Sequence, residues 1–415
     1  MDCDILIIGA GAAGIAAART ALAAGRRVRV LEARSRAGGR AWTDASLGVP
    51  FDLGATWLHD AARNPLVGLA RGLGVELHDS DAARREVTFL DGRRATASEV
   101  AAYDAAWAAF EQAIAARAAG PGPDIPAAEA APRGGAWDAT VAAWQGHVIA
   151  AWPLEAMSLR DFHANLLGGA NLMPVGGLGA LLARLAAPLP VTLDAPVAQL
   201  RWGGRQAVAE GPFGRITAGA VVCTLPTSLL AGHAIRFDPP LPLAVQMAAH
   251  DLPLGAAIKI GLRAAGDDRL GLPDHASTDR CIREGEDLIP ITFWPRGQPV
   301  ASAWIGGPLA AEVEREGPAA AEALVRAEIA VRLGARAADA FRPGAAISAW
   351  RSDPWSLGVY SHARVGAAGA RAVLAAPLAE GRLCLAGEAC HDGLAGTVGG
   401  AWLSGVAAAR HALAA

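Results

Sequence analysis

Between Asp4 and Arg34 the chain reads DILIIGAGAAGIAAARTALAAGRRVRVLEAR, and no other stretch restricts the fold as strongly. Ile5 to Ile8 form a short unbroken apolar run, as a parallel strand buried on both faces requires. Gly9, Gly11 and Gly14 follow in a G-x-G-x-x-G spacing and open an alanine-rich helical segment. The glycines permit a tight turn and close backbone approach, and the first N–H groups of the helix face a pyrophosphate. RVRVLEAR supplies a second strand, with Glu32 at the spacing where an acid accepts from a ribose hydroxyl. Strand, glycines, helix, strand and acid in this order predict a dinucleotide-binding α/β unit. The fingerprint alone leaves NAD and FAD open.

The sequence continues EARSRAGGRAWT, where Arg34, the glycine pair Gly38–Gly39 and Arg40 suit a longer dinucleotide needing a further phosphate donor. A matching piece stands at the far end. RLCLAGEAC reads as a strand running to Gly387 and Glu388, and LAGTVGGAWLSGVAAARHAL as a glycine-rich entry into a last helix. Such a helix N-terminus stabilises negative charge, as on a reduced flavin.

With these segments, FDLGATWLH, MPVGGLGALLARLA, DPWSLGVYS and AGEAC…GTVGGAWLSGVAAA, the chain resembles the flavin-dependent amine oxidases, and within them most closely the polyamine oxidases. The resemblance spans both ends and much of the middle. It implies an α/β protein with a discontinuous Rossmann-like FAD domain (1–80, 174–240 and 380–415). Interleaved with it is an α+β substrate domain, a mixed sheet flanked by helices (81–173 and 241–379). It implies non-covalent FAD, since Val359 stands where covalently flavinylated members carry cysteine. Gly54, Ala55 and Thr56 would line the flavin with Trp57 close by, and Glu388 would contact its ribityl or pyrophosphate region. Val197, Trp350, Gly387, Thr397 and Val398 complete the implied cofactor set; Thr397 replaces a cage tyrosine of the monoamine oxidases.

Three residues are candidates for the chemistry. Lys259, in GAAIKIGL, is the only lysine among 415 residues. Strand alternation points it away from the face of Ile258 and Ile260. The resemblance implies a water-bridged cation at the flavin N5, favouring oxygen reduction; the alternative is a solvent-facing lysine on an edge strand. His59 matches a histidine that polyamine-oxidising relatives place near the substrate amine, and reads equally as a histidine hydrogen-bonded near a helix start. Tyr360 matches an aromatic wall that guides the amine to the flavin.

The implied reaction takes an amine to an imine by hydride transfer, with a small-molecule amine and O2 as partners and H2O2 as product. An L-amino-acid oxidase, a carbon–carbon desaturase and a flavin-binding protein without turnover are the alternatives. A net charge of −3 without long charged blocks speaks against nucleic acid. Five scattered cysteines without CxxC spacing suggest reduced thiols, a cytoplasmic protein and no metal site. A strand beginning at Ile5 leaves no room for a signal peptide, no apolar stretch suggests a membrane span, and oligomeric state has no signature. TASEVAAYDAAWAAFEQAI places Val100, Tyr103, Trp107, Phe110 and Ile114 on one helix face, with Thr96 and Glu99 as a capping box.

Overall fold

The structure is a computed structural model describing residues 1–415. The opening apolar run is the strand Cys3–Ile8, flanked in parallel by Val28–Leu31 and Gly214–Cys223. It lies inside an eight-stranded sheet ordered Arg236–Asp238, Gln199–Arg201, Ala207–Gly211, Gly214–Cys223, Cys3–Ile8, Val28–Leu31 and Val191–Thr192. Leu383–Leu385 pairs with Gly214–Cys223. Strands distant in sequence thus build one sheet. The alanine-rich helix Ala12–Ala23 packs closely on the last helix, Val398–Ala414, joining the two ends of the chain. A Cβ on Gly405 would sit 2.1 Å from the Ala13 carbonyl, so small residues set this approach.

The second sheet has seven strands, ordered Phe341–Ile347, Ala257–Ala264, Val300–Gly306, Ile291–Phe293, Ala276–Arg280, Arg85–Leu90 and Arg93–Arg94. All neighbours are antiparallel except Ala276–Arg280 against Arg85–Leu90. One face buries Ile258, Ile260, Phe293 and Ile305 against Val325 and Ile329 of the helix Pro318–Leu333. The strand of Lys259 has partners on both sides, which excludes the edge-strand alternative.

Helix Ala97–Ala119 starts with the expected capping box: Glu99 accepts from the Thr96 amide at 2.7 Å, and the Glu99 amide donates back to Thr96 Oγ1. Tyr103, Phe110 and Ile114 are buried with Trp137 and Phe162, while Trp107 is only partly covered. Helix Asp138–Ala143 runs on into a π-helix, Trp144–Ala150, which stops at Ala151 in a left-handed conformation (φ 57°). Segments 241–252 and 363–374, expected on the substrate side, send Leu241, Val245, Leu252, Ala363 and Leu374 into the core of the dinucleotide sheet. Their apolar residues continue that core. No helix is long and apolar enough to cross a membrane.

Candidate active site

Two glycines of the nucleotide loop, Gly9 and Gly14, have no room to be anything else. Gly9 has φ 100°, and a Cβ on Gly14 would lie 1.9 Å from the Gly9 carbonyl. Gly39 (φ 59°) brings the second glycine turn against the first; its Cβ would stand 3.2 Å from Gly11 Cα. Glu32 is 3 % exposed and accepts from the Ala10 amide at 2.6 Å and the Arg34 amide at 2.9 Å. Arg34 gives Nη2 to Asp353 and Ser356, both at 2.7 Å, so much of its guanidinium serves the protein. Its Nε is buried without a protein partner. A glycine-built cradle, a buried acid at the strand end and an unmet donor suit the pyrophosphate and ribose of a dinucleotide.

Arg40 and Glu388 meet across the chain, Nη1 to Oε1 at 3.1 Å, and Arg40 also donates to the Val359 carbonyl. Glu388 accepts from Ser361 Oγ at 2.7 Å and from the Gly396 amide at 3.1 Å. Ser361 Oγ in turn accepts from Arg371 Nη1 at 2.8 Å, and Arg371 makes a two-pronged pair with Asp161, 2.6 Å through Nε and 2.9 Å through Nη2. Burial alone would raise the Glu388 carboxyl, but Arg40, Arg371 and Ser361 outweigh it and hold it below the usual carboxylate range. The network fixes residues 359–361, which carry Tyr360.

Gly387 donates its amide to Ser404 of the last helix at 3.0 Å. Thr397 caps that helix, accepting from the Gly400 amide at 2.9 Å, and Val398 begins it. Thr397 therefore serves the backbone. Val197 is buried in the core of the dinucleotide sheet.

Lys259 is 4 % exposed. Its ammonium donates to the Gly54 carbonyl at 2.8 Å and to Thr56 Oγ1, and lies 5.6 Å from the Trp57 ring and 5.5 Å from the Trp304 ring. Trp304 stands directly across the strand pair from it. Burial brings the ammonium down to about 8, opposed by the charge of Asp52. Asp52 is itself raised by burial and eased by Lys259, Thr43 and the amides of Leu178 and Gly179. An ammonium has three N–H donors, and protein atoms take two.

Gly54 and Ala55 are locked to Arg40: the Ala55 amide donates to the Arg40 carbonyl at 3.2 Å, and a Cβ on Gly54 would stand 1.9 Å from it. Trp350 lies over Gly54 and donates Nε1 to the Leu53 carbonyl at 2.9 Å. His59 pairs through Nδ1 with Asn171 at 2.6 Å and tilts against Trp57, ring centroids 5.9 Å apart. Burial lowers its pKa, partly offset by Asn171, so the ring is neutral. Tyr360 donates Oη to the Ile149 carbonyl at 2.6 Å, and Trp304 donates Nε1 to the Val148 carbonyl at 2.8 Å. Both aromatic rings thus hang on successive carbonyls of the π-helix.

The structure therefore gathers Lys259, Thr56, Gly54, Trp57 and His59 at one place, with Tyr360 and Trp304 held by one segment. Trp304, Asp52, Ser361, Arg371 and Asp161 join the site without having been singled out in the sequence. Asp52 and Ser361 sit inside the quoted segments FDLGATWLH and DPWSLGVYS; Trp304 lacks any local signal.

Residues 12–413 match the family described as flavin containing amine oxidoreductase. Polyamine oxidase 4 of Oryza sativa subsp. japonica is 30% identical over 440 residues, covering 98% of this chain and 88% of that protein. Lysine-specific histone demethylase 1 homolog 2 of Arabidopsis thaliana is 28% identical over 97% of this chain and 57% of its own length. Among solved structures, putrescine oxidase bound to putrescine superposes with a TM-score of 0.82 at 20% identity over 100% of both chains. Cyclohexylamine oxidase from Brevibacterium oxydans gives a TM-score of 0.82 at 20% identity, over 100% of this chain and 99% of that one. Fold, cradle and family match agree: this chain belongs to the flavin-containing amine oxidoreductases, enzymes that oxidise amines, and its cofactor is FAD.

Proposed function

We propose that the enzyme oxidises a primary or secondary amine, a polyamine or another alkyl or arylalkyl amine, to its imine, with O2 reduced to H2O2. The Gly9–Gly14 turn, the Gly38–Gly39 pair and Glu32 would hold non-covalent FAD, which would supply the redox chemistry as acceptor of the amine's hydride and donor of electrons to oxygen. The observation that carries this reading is the sole lysine, buried on a central strand with one N–H donor left over between two indoles.

Hydride loss needs a neutral amine nitrogen. An alkylamine of lysine-like pKa is neutral in only about one molecule in a thousand near neutral pH, a deficit of about 4 kcal/mol that desolvation in an apolar pocket can supply. Trp57, Trp304 and Tyr360 provide that lining, and a neutral His59 adds no competing positive charge. The remaining donor of Lys259 holds a water or stabilises negative charge developing on oxygen. Names of relatives, polyamine oxidase and putrescine oxidase, support an aliphatic amine. Anaerobic mixing with mono-, di- and polyamines and with amino acids, followed by flavin bleaching and then peroxide release in air, tests the reading. Bleaching by amino acids alone would replace it with an amino-acid oxidase.

A further inference from the structure

Eight buried side-chain nitrogens lack a protein hydrogen-bond partner, and three of them belong to one cluster: His78 Nε2, His275 Nδ1 and Arg296 Nε. Buried polar atoms are almost always satisfied, so a concentration of unmet nitrogens needs an explanation. The His78 and His275 rings stack with centroids 5.4 Å apart and planes inclined by 21°. Arg296 reaches the Pro174 carbonyl at 3.5 Å, on the strand Leu172–Pro174 that pairs with the strand Leu77–Asp79 bearing His78.

The backbone is bent to make this cluster. His275, Trp294 and Arg296 have φ of 58°, 51° and 56°, and the His275 amide donates to the Trp294 carbonyl at 2.9 Å. Left-handed non-glycine residues cost about 1–3 kcal/mol each and collect at ligand sites. The other guanidiniums nearby are engaged: Arg84 lies 3.8 Å from Asp81 and 4.0 Å from Glu86, and Arg85 donates to the carbonyls of Ala82, Ala83 and Arg84. Arg296 has no carboxylate partner; Asp52 and Glu76 act on it only through space.

We propose that Arg296, His275 and His78 form an anion subsite that takes the carboxylate or phosphate group of a small ligand. Arginine's planar fork matches both groups, and each neutral imidazole supplies one N–H, its tautomer free to follow the ligand. The field agrees. Burial, then His78, Arg84, Arg296 and Arg85, push His275 down to about 4, while burial and Arg296 lower His78 against Asp79 and Glu76. A guanidinium without a carboxylate partner beside two uncharged imidazoles has its charge matched by a bound anion. The subsite stands independently of the amine reading. It is nonetheless tied to that site, because Asn171, which holds His59, precedes Pro174 by about 10 Å of extended chain.

The test uses FAD-loaded protein in a chloride-free sulfonate buffer, titrated separately with acetate, inorganic phosphate and chloride, by calorimetry and imidazole NMR. The expected result is saturable binding of acetate, of phosphate or of both, with the responding anion identifying the ligand group. Two histidine resonances move and vanish in His78→Leu and His275→Leu, and the His275 pKa rises by about one unit. Arg296→Gln weakens binding about tenfold or more. If that variant loses its flavin spectrum, Arg296→Lys replaces it and is also weaker, for want of the fork. Saturation by neither oxyanion, an equal response to chloride, unmoved histidines, or unchanged affinity in the Arg296 variant overturns the proposal.

Discussion

Lys259→Met removes the ammonium while keeping an unbranched apolar stem on the strand. Two terms set its stability. Burial lowers the ammonium from 10.5 to about 8, a charge penalty of about 3 kcal/mol that methionine does not carry. Against this, the Gly54 carbonyl and Thr56 Oγ1 lose their donor, at about 1–3 kcal/mol each. The terms offset, so the variant folds and stays yellow. Catalysis is not offset in this way: losing a fixed donor aimed at developing charge in a water-poor site costs about a hundred- to a thousandfold. Stopped-flow separates the halves, first anaerobic reduction by an amine, then mixing with O2. Reduction stays near the parent rate and reoxidation slows by that factor. Sign follows from the shift. The folded pKa lies below the unfolded value, so the cation is complete well below about 8 and lost as pH rises through it. The parent's oxygen step therefore falls above about pH 8, and the variant lacks that limb. Unchanged reoxidation, or an alkaline limb that survives the substitution, refutes the argument.

Three further outcomes are expected. Gly14→Ala drives a methyl into the Gly9 carbonyl at 1.9 Å; overpacking of this kind costs about 1–3 kcal/mol or more, and the purified protein carries little flavin by absorbance. Arg371→Leu strands the buried Asp161 carboxylate and costs about 3–5 kcal/mol in urea unfolding, whereas Arg371→Lys, which keeps the charge but loses the fork, costs less. Thr96→Ala removes the capping box of helix Ala97–Ala119, for about 1 kcal/mol of stability and no change in turnover.

The dinucleotide end was legible because its requirements are local: four apolar residues, three glycines and an acid occur in order within one unit, and Gly9 and Gly14 prove sterically necessary. Lys259 was legible for another reason, its solitude, and the strand alternation around Ile258 and Ile260 oriented it correctly. The polar network was not. Asp161 and Arg371 are 210 residues apart and Arg40 and Glu388 are 348 apart, so no window of sequence contains either pair. The boundaries near 241 and 379 were no clearer, because Leu241, Val245, Leu252 and Leu374 join the core of the dinucleotide sheet only in the finished packing. The π-helix had no sequence mark either, and the two rings that dock on its carbonyls come from 156 and 211 residues away.

That docking has an evolutionary corollary. Trp304 and Tyr360, the proposed walls of the amine site, are suspended from adjacent carbonyls of a seven-residue segment whose winding differs from that of the helix feeding it. Gaining or dropping a single codon there would re-aim an indole and a phenol together while every lining residue stayed the same. Selectivity toward new amines is then reachable by a length change remote from the chemistry, in a segment that mutational scans of the cavity itself would never sample.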